Sequence, residues 1–281
     1  NGKSGEVYRG AIRKSEVINQ TSESRIARKS DSQKEVNIGN IKTATKVYVN
    51  LAEPELAEKI AAENVDGIGL LRAEFMMAQI GVHPKKIIRE GKSKEFIKTL
   101  AHEITKFADA FYPRPVVYRA TDFKTNEYRN LKGGDLYEPH EENPLIGYRG
   151  AGRYVADPEV FNLELKAIKE VRDKRSNLHL MIPFVRSVRE LIGGKKMIYA
   201  SGLKRNSAFK LWMMVELPVN VISLPDFIAV GIDGVSIGTN DLTMLILGTD
   251  RDNQEISRSY NEMDPAVLWA LERVITLSVK A

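Results

Sequence analysis

The stretch that decides the fold begins with KLWMMVELP at residues 210–218, continues through a helical pattern over 219–230, and ends with GVSIGTND at residues 234–241. Both ends are short apolar runs that stop at a polar loop, which is typical of buried strands. A strand, a helix and a second strand in close succession predict a crossover unit, in which the two strands lie parallel. The chain is therefore expected to be an α/β protein built on a parallel sheet.

The same alternation extends over most of the chain. Five further apolar runs predict strands, and helical patterns or polar loops separate them: KVYVNLA (46–52), GIGLLRAEF (67–75), PVVYRATD (115–122), the weaker NPLIGYRG (143–150) and HLMIPF (179–184). Seven strands that alternate with helices predict a (β/α)8 barrel of the TIM type, with the eighth strand expected beyond Ala281. An open doubly wound sheet is the alternative.

The basic character of the sequence is confined to its first segment. Residues 1–46 contain ten Lys or Arg and five Asp or Glu, which is the whole formal net charge of +5. A basic, Ser-rich stretch such as TSESRIARKSDSQKE is typical of a solvated linker, and the alternative is an arm that binds a polyanion. We expect a linker, and therefore no nucleic-acid partner.

Two absences bear on the cellular compartment. The chain has no apolar stretch of the roughly 20 residues that a membrane span requires. It also contains no cysteine, which excludes disulfides and thiolate metal sites. These observations fit a cytoplasmic protein without a membrane partner.

Four charged side chains come directly after apolar runs. Arg72 follows GIGLL, Arg119 follows VVY, and Glu216 and Asp241 come at the ends of the sixth and seventh predicted strands. Because active sites of barrels are built at the carboxyl ends of the strands, we expect these groups to share one rim. Carboxylate oxygens suit Mg²⁺, which completes its shell with water and substrate oxygens, and guanidinium groups suit phosphate or carboxylate. The pattern predicts an anion held through a metal ion.

Other residues extend this predicted site. In the run IGTND, the backbone of Gly238 and Thr239 can approach an anion closely, and Asn240 offers an amide. Arg149 adds positive charge after the fourth predicted strand.

Simpler interpretations of the same residues stay open. Arg72 and Arg119 could form salt bridges with the nearby Glu74 or Asp122. Asp241, followed by Leu and Thr, could cap the next helix.

Six segments of the chain resemble, in order, the sequence blocks of the phosphoenolpyruvate-utilising enzymes. They are GIGLLRAEFMMAQIGVHP, RATDFKTNEYRNLKGG, NPLIGYRGAGRY, LMIPFVRSVREL, WMMVELPVNV and SIGTNDLTMLILGTDRDN. The resemblance runs from about residue 40 to residue 270. The segments FKTNEYRNLKGG and IGVHP favour the synthase branch of the family over the sugar-transport enzyme I and over pyruvate phosphate dikinase.

The resemblance implies a phosphoenolpyruvate/pyruvate-binding barrel over residues 41–281, preceded at 1–40 by the tail of a swivelling phosphohistidine domain and a basic linker. It implies Mg²⁺-dependent phosphoryl transfer from the phosphohistidine to the enolate of pyruvate, giving phosphoenolpyruvate. The expected partners are that swivelling domain, an ATP-grasp domain and further copies of the chain in a homo-oligomer. By resemblance, Glu216 and Asp241 bind Mg²⁺, and the substrate site comprises Arg72, Arg119, Arg149, Glu216, Gly238, Thr239, Asn240, Asp241 and Arg251.

The chain departs from the family pattern in its catalytic groups. It has neither the Thr-Ser-His phosphorylation motif of the swivelling domain nor the Cys-Gly-Gln segment that carries the proton-transfer cysteine. We therefore predict no catalytic residue in this chain, and we expect it to bind Mg²⁺ and substrate without completing a reaction cycle alone. The alternative hypothesis is a non-catalytic barrel that serves as an oligomerisation or ligand-binding subunit.

Overall fold

A computed structural model describes residues 43–251 and 253–281, and the predicted domain at 1–40 lies outside this range. The described residues form an α/β unit around one sheet of six parallel strands. The strands are β1 (Tyr48–Leu51), β2 (Gly67–Arg72), β3 (Val116–Arg119), β4 (Leu178–Ile182), β5 (Leu211–Val215) and β6 (Gly234–Ile237).

The strands lie in the sheet in the order in which they occur along the chain, from β1 to β6. Every neighbouring pair is parallel. Within the described range this order never reverses, whereas a doubly wound sheet has a reversal at its centre. The strand order of this six-stranded sheet is consistent with part of a barrel wall.

The register places the ends of the strands level with one another. Arg72, the last residue of β2, pairs with Arg119, the last residue of β3. Val215 at the end of β5 pairs with Ile237 at the end of β6. The residues that follow these positions, including Glu216, therefore begin at one rim of the sheet.

The prediction of a strand at NPLIGYRG (143–150) is wrong, so six strands replace the seven predicted. β3 pairs directly with β4, and residues 144–148 form a turn followed by a bend. Pro144 has no N–H to give to a ladder, and the N–H of Tyr148 is taken by the carboxylate of Glu141 at 2.9 Å. Gly150 has φ of 61°, a left-handed conformation that favours glycine, and it begins a helix.

Helices fill the connections between the strands. They are α1 (Ala57–Ala61), α2 (Ala73–Ile80), α3 (Pro84–Arg89), α4 (Ser93–Phe111), α5 (Thr125–Arg129), α6 (Gly150–Ala156), α7 (Pro158–Arg172), α8 (Val188–Ala200), α9 (Pro218–Ile222), α10 (Leu224–Ala229), α11 (Thr239–Leu247) and α12 (Pro265–Lys280). Short 3-10 turns lie at Pro54–Leu56, Gly134–Leu136 and Ser257–Ser259. Among the described helices, none is both long and apolar enough to cross a bilayer.

The last helix shows how a local signal sets a boundary. Its predicted start at Asp-Pro is confirmed, because the Asp264 side chain accepts a hydrogen bond from the N–H of Ala266 at 2.9 Å and Pro265 takes the first helical position. Proline suits this position because its missing N–H would have had no partner there. Val267, Ala270 and Val274 then form the buried face of α12.

The two faces of the sheet are packed differently. The outer face carries the main core, where large side chains such as Tyr118 and Ile182 meet helix residues such as Phe107. Among the described residues, the opposite face carries a small cluster around Val117, Met181 and Met214. Since side chains alternate along a strand, Val117 and Arg119 share this second face. The rim above the small cluster is therefore where charged groups can gather.

The long connection between β3 and β4 is fixed by a buried ionic cluster around Glu138. The Nε2 atom of His83 lies 2.9 Å from Oε1 of Glu138, and Arg153 forms an ion pair with the same oxygen. The His83 Nδ1 atom accepts the N–H of Lys85, so Nε2 carries the proton and donates it to Glu138. Arg129 donates to the Glu138 carbonyl at 2.8 Å. This cluster holds the connection against α3 and α6.

Candidate functional site

The carboxyl ends of the strands surround one cavity of about 530 Å³. All nine residues predicted for the substrate site line it, although they come from segments far apart in the sequence: Arg72, Arg119, Arg149, Glu216, Gly238, Thr239, Asn240, Asp241 and Arg251. The structure thus brings the predicted residues together, and the ligands that they bind remain a prediction.

Arg119 reaches the cavity from the end of β3. Its Nη2 atom donates to Oε1 of Glu74 at 3.0 Å, and its Nη1 atom lies 4.0 Å from Oδ2 of Asp122. Burial lowers the pKa of the Arg119 guanidinium, but Glu74, Asp122 and Glu216 together raise it above its ordinary value. The salt-bridge interpretation is therefore confirmed for Arg119, which also lines the cavity.

Arg149 is the most constrained cation at the rim. It donates to both carboxylate oxygens of Asp122, from Nε at 3.0 Å and from Nη2 at 2.5 Å. Its Nη1 atom lies 3.3 Å from Oδ2 of Asp241. Burial lowers the pKa of Arg149, while Asp122, Asp241 and Glu216 raise it above the ordinary value. Two-point binding by Asp122 fixes the plane of this guanidinium.

Arg72 differs from both of these arginines because it has no anionic partner. Within residues 43–251 and 253–281, its guanidinium makes no hydrogen bond or ion pair, and its Nε atom is buried. The salt-bridge interpretation therefore fails for Arg72. A buried donor without a partner is costly, and an anion in the cavity would satisfy it. Arg251 stands at the exposed edge of the same cavity.

Glu216 is a buried carboxylate, with 2% of its surface exposed. Its Oε1 atom accepts the backbone N–H of Phe184 at 2.6 Å. Burial raises the pKa of Glu216 to about 8, helped by the negative charges of Asp122 and Asp241 and opposed by Arg119 and Arg149. A cation placed between these carboxylates would reverse this tendency.

Asp241 lies in the first turn of α11, where Gly238 is the N-cap residue. The simpler interpretation, in which Asp241 caps this helix, is therefore wrong. Residue 238 must be a glycine because a Cβ atom there would lie 2.8 Å from Cβ and 3.0 Å from Oε2 of Glu216. The absence of a side chain at 238 leaves room for the Glu216 carboxylate and for any ion beside it.

The donor set fits a Mg²⁺ ion with an incomplete protein shell. Among the described residues there is no group of three His, Cys, Asp or Glu side chains that could hold a metal ion. Two carboxylates are nonetheless what Mg²⁺ typically takes from a protein when substrate oxygens and water supply the rest. Glu216 and Asp241 would hold such an ion.

Sequence reasoning missed several residues of the cavity. Glu74 and Asp122 were considered only as salt-bridge partners, yet both line the cavity, as do Lys124 and Glu127 of the β3–β4 connection. Met214 is buried and also lines the cavity. Two signals were available in the sequence: Glu74 lies two residues after Arg72, and Asp122 ends the predicted strand at 115–122.

Comparison with known proteins identifies the class. Residues 26–281 match the model of the PEP-utilising enzyme, PEP-binding domain. The chain therefore belongs to the family of phosphoenolpyruvate-utilising enzymes, as its sequence blocks indicated.

Within this family the chain is similar to phosphoenolpyruvate synthases. It is 48% identical to a probable phosphoenolpyruvate synthase of Staphylothermus marinus, over 83% of this chain and 29% of the relative. It is 43% identical to the phosphoenolpyruvate synthase of Aeropyrum pernix, over 98% of this chain and 34% of the relative. For the phosphoenolpyruvate synthase of Neisseria meningitidis the identity is 42%, over 84% and 33%. The chain thus spans about a third of the length of these relatives.

Proposed function

We propose that the cavity binds phosphoenolpyruvate and pyruvate, and that it serves Mg²⁺-dependent phosphoryl transfer between a phosphohistidine and the enolate of pyruvate. The observation that carries this proposal is the unpartnered Arg72 facing the same cavity as Glu216 and Asp241. An unsatisfied cation beside two carboxylates suits an anionic ligand that also shares a metal ion.

The residues of the rim divide the work by charge. Arg72 and Arg119 would bind the phosphoryl oxygens, because a planar guanidinium can donate two parallel hydrogen bonds to them. Arg149, which Asp122 and Asp241 hold in place, would add a third guanidinium to the anion-binding half of the cavity. When bound, Mg²⁺ supplies positive charge where the enolate oxygen becomes negative. The backbone of Gly238 and Thr239 leaves space for the ligand, and Asn240 offers its amide.

The whole protein would need further parts. By the family resemblance, a swivelling domain would carry the phosphohistidine, an ATP-grasp domain would charge it, and the sheet would be closed into a (β/α)8 barrel. The names of the relatives and the share of their length that this chain spans support this proposal. We further propose that copies of the chain associate and that the protein works in the cytoplasm.

The test is pyruvate-dependent consumption of ATP by the full protein in the presence of Mg²⁺, with phosphoenolpyruvate measured as product. Activity that is lost on replacement of Arg72 by Ala, while phosphoenolpyruvate binding is lost in parallel, is the expected result. A protein that binds phosphoenolpyruvate with Mg²⁺ but never forms it from pyruvate would instead support the non-catalytic subunit. Absence of both activity and binding would contradict the proposed site.

A further inference from the structure

Phe184 adopts a backbone conformation that its side chain disfavours. It is the one non-glycine residue with positive φ, 48°, among residues 43–251 and 253–281. A bulky residue in this region is uncommon, because its Cβ crowds the neighbouring carbonyl. Such conformations persist where the surroundings enforce them, and they concentrate at functional sites.

The strained backbone of Phe184 donates one hydrogen bond to the carboxylate of Glu216, which lines the cavity. The N–H of Phe184 donates to Oε1 of Glu216 at 2.6 Å, while Oε2 makes no hydrogen bond within the described residues and lies on the side of Gly238. One oxygen of the carboxylate is thus fixed and the other is left toward the cavity.

A second contact locks the same two segments together. The Nδ2 atom of Asn220 donates to the carbonyl of Val185 at 2.7 Å. The Oδ1 atom of Asn220 accepts the N–H groups of Glu216 at 3.3 Å and of Leu217 at 3.0 Å. Asn220 is completely buried. The loop after β4 and the loop after β5 are therefore joined on either side of Glu216.

The ring of Phe184 makes cation–π contacts with two arginines near the rim. The guanidinium carbon of Arg149 lies over this ring at 4.0 Å from its centre, and that of Arg186 lies over it at 4.7 Å. Arg186 in turn donates to the Arg149 carbonyl at 3.1 Å. A cation over an aromatic face is attracted by the electron-rich ring. The Phe184 ring therefore helps to fix the position of the Arg149 guanidinium.

The neighbouring glycine confirms how closely this arrangement is packed. A Cβ atom at Gly150 would lie 2.4 Å from Cβ of Phe184 and 2.9 Å from the carbonyl oxygen of Pro183. The start of α6, which carries Arg149 just before it, can approach Phe184 only because residue 150 is a glycine.

We infer that Phe184 is a positioning residue: its backbone orients the Glu216 carboxylate, and its ring orients the Arg149 guanidinium, so that one residue aligns the cation-binding and anion-binding halves of the cavity. This inference rests on the proposed function. It adds that the backbone of Phe184 affects binding of the cation, through Glu216, and that its ring affects binding of the anion, through Arg149.

Two substitutions separate the two contributions. Phe184→Leu removes the ring but keeps an unbranched Cβ, so the backbone can retain its conformation. Phe184→Val has a branched Cβ, which tolerates positive φ least. The matched control is Phe227→Leu, because Phe227 in α10 is equally buried at 1% exposure and does not line the cavity.

Calorimetry on the full chain first measures binding of Mn²⁺, which is used in place of Mg²⁺. It then measures binding of phosphoenolpyruvate at saturating Mn²⁺. The melting temperature of each variant is measured as well. For Phe184→Leu we expect Mn²⁺ affinity within about twofold of the unmodified protein and phosphoenolpyruvate affinity lowered about three- to tenfold. For Phe184→Val we expect Mn²⁺ affinity lowered at least about tenfold. Phe227→Leu should lower the melting temperature and leave both affinities unchanged.

The inference is overturned if both Phe184 variants bind Mn²⁺ and phosphoenolpyruvate as Phe227→Leu does. It is also overturned if Phe184→Leu loses both affinities in equal proportion, because backbone and ring would then not act separately. A different result identifies failure of the proposed function: the unmodified chain would bind no Mn²⁺ at all. If Phe184→Val does not fold, the ratio of the two affinities in Phe184→Leu still decides the matter.

Discussion

Two buried carboxylates, on opposite sides of the sheet, show how differently one chemical group can be used. Glu164 of α7 lies in the core behind β3, and its Oε1 atom accepts hydrogen bonds from the Tyr118 hydroxyl at 2.6 Å and from the Thr121 hydroxyl and N–H at 2.7 and 2.8 Å. Glu216 stands at the rim among charged groups. Burial is the largest cause of the raised pKa in both, to about 7 for Glu164 and about 8 for Glu216.

The difference lies in what surrounds each carboxyl. Glu164 has only neutral donors, all on Oε1, and its Oε2 atom is buried without a hydrogen-bond partner among the described residues. Glu216 is surrounded by two other acids and two arginines whose charges nearly balance, so a further charge in the cavity changes its state. A functional carboxylate is therefore recognised by charged neighbours of both signs around it, and not by burial alone.

The largest expected effect follows from removing the ionisable carboxyl group of Glu216. Glu216→Gln should lower Mn²⁺ affinity at least about 100-fold, which exceeds the loss usual for an outer-shell partner, and should leave the fold intact. Calorimetry with Mn²⁺ measures this. The control is Glu164→Gln, which should bind Mn²⁺ as the unmodified protein does. Equal Mn²⁺ binding by both variants would remove the distinction between the two carboxylates.

The next effect concerns the pair that holds the rim together. Asp122→Asn should lower the free energy of unfolding by about 3–5 kcal/mol, because it leaves Arg149 buried with its bidentate partner gone. Urea denaturation measures this change. Asp109→Asn breaks an exposed ion pair with Arg175 and should have little effect. A small effect of Asp122→Asn would mean that Arg149 is satisfied by other groups.

The carboxyl group of Glu164 should make the free energy of unfolding depend on pH. Because the folded-state pKa of Glu164 is raised from 4.5 to about 7, the folded state keeps a proton that the unfolded chain has released. Its contribution to stability is complete below about pH 4.5 and is lost as pH rises toward 7. Relative to Glu164→Gln, the unmodified protein should lose up to about 1.4 kcal/mol of unfolding free energy per pH unit in this window.

Denaturation of both proteins at several pH values tests this prediction. Curves that stay parallel from pH 4.5 to 7 would show that Glu164 is ionised in the folded state, as if it too had a charged partner. The two carboxylates would then no longer differ in kind.

The smallest expected effect comes from the unpartnered cation. Arg72→Lys should weaken phosphoenolpyruvate binding about tenfold, because an ammonium cannot reproduce the planar fork, and should hardly change stability. The control is Arg114→Lys: Arg114 donates to the carbonyls of Val65 and Ala61 at 3.0 and 2.7 Å. That variant should change stability and not affinity. Unchanged affinity in Arg72→Lys would argue against a bound phosphate.

Much of this arrangement was predictable from local sequence signals. Apolar runs ending in charged residues gave β2, β3, β5 and β6 and brought Arg72, Arg119, Glu216 and Asp241 to one rim, because strand ends meet in a parallel sheet. NPLIGYRG failed as a strand because its apolar residues are interrupted by proline and glycine, whose backbone preferences outweigh a short apolar run.

The supporting contacts were not predictable in the same way. Phe184 and Asn220 act through their placement in three dimensions, and nothing in IPFV or PVN indicates a positive φ or a cross-link between loops. Glu164 appears in the sequence as one of several acidic residues on an amphipathic helix. Its burial depends on how α7 packs against β3, which the helical period alone does not determine.

The direct pairing of β3 with β4 leaves residues 121–176 outside the hydrogen-bonded ladder. This stretch delivers Lys124, Glu127 and Arg149 to the cavity. Insertions or deletions within it would not shift the register of any strand, so evolution can remodel one wall of the pocket while the scaffold stays unchanged. Relatives should therefore differ in length within this excursion before they differ in length within the strands.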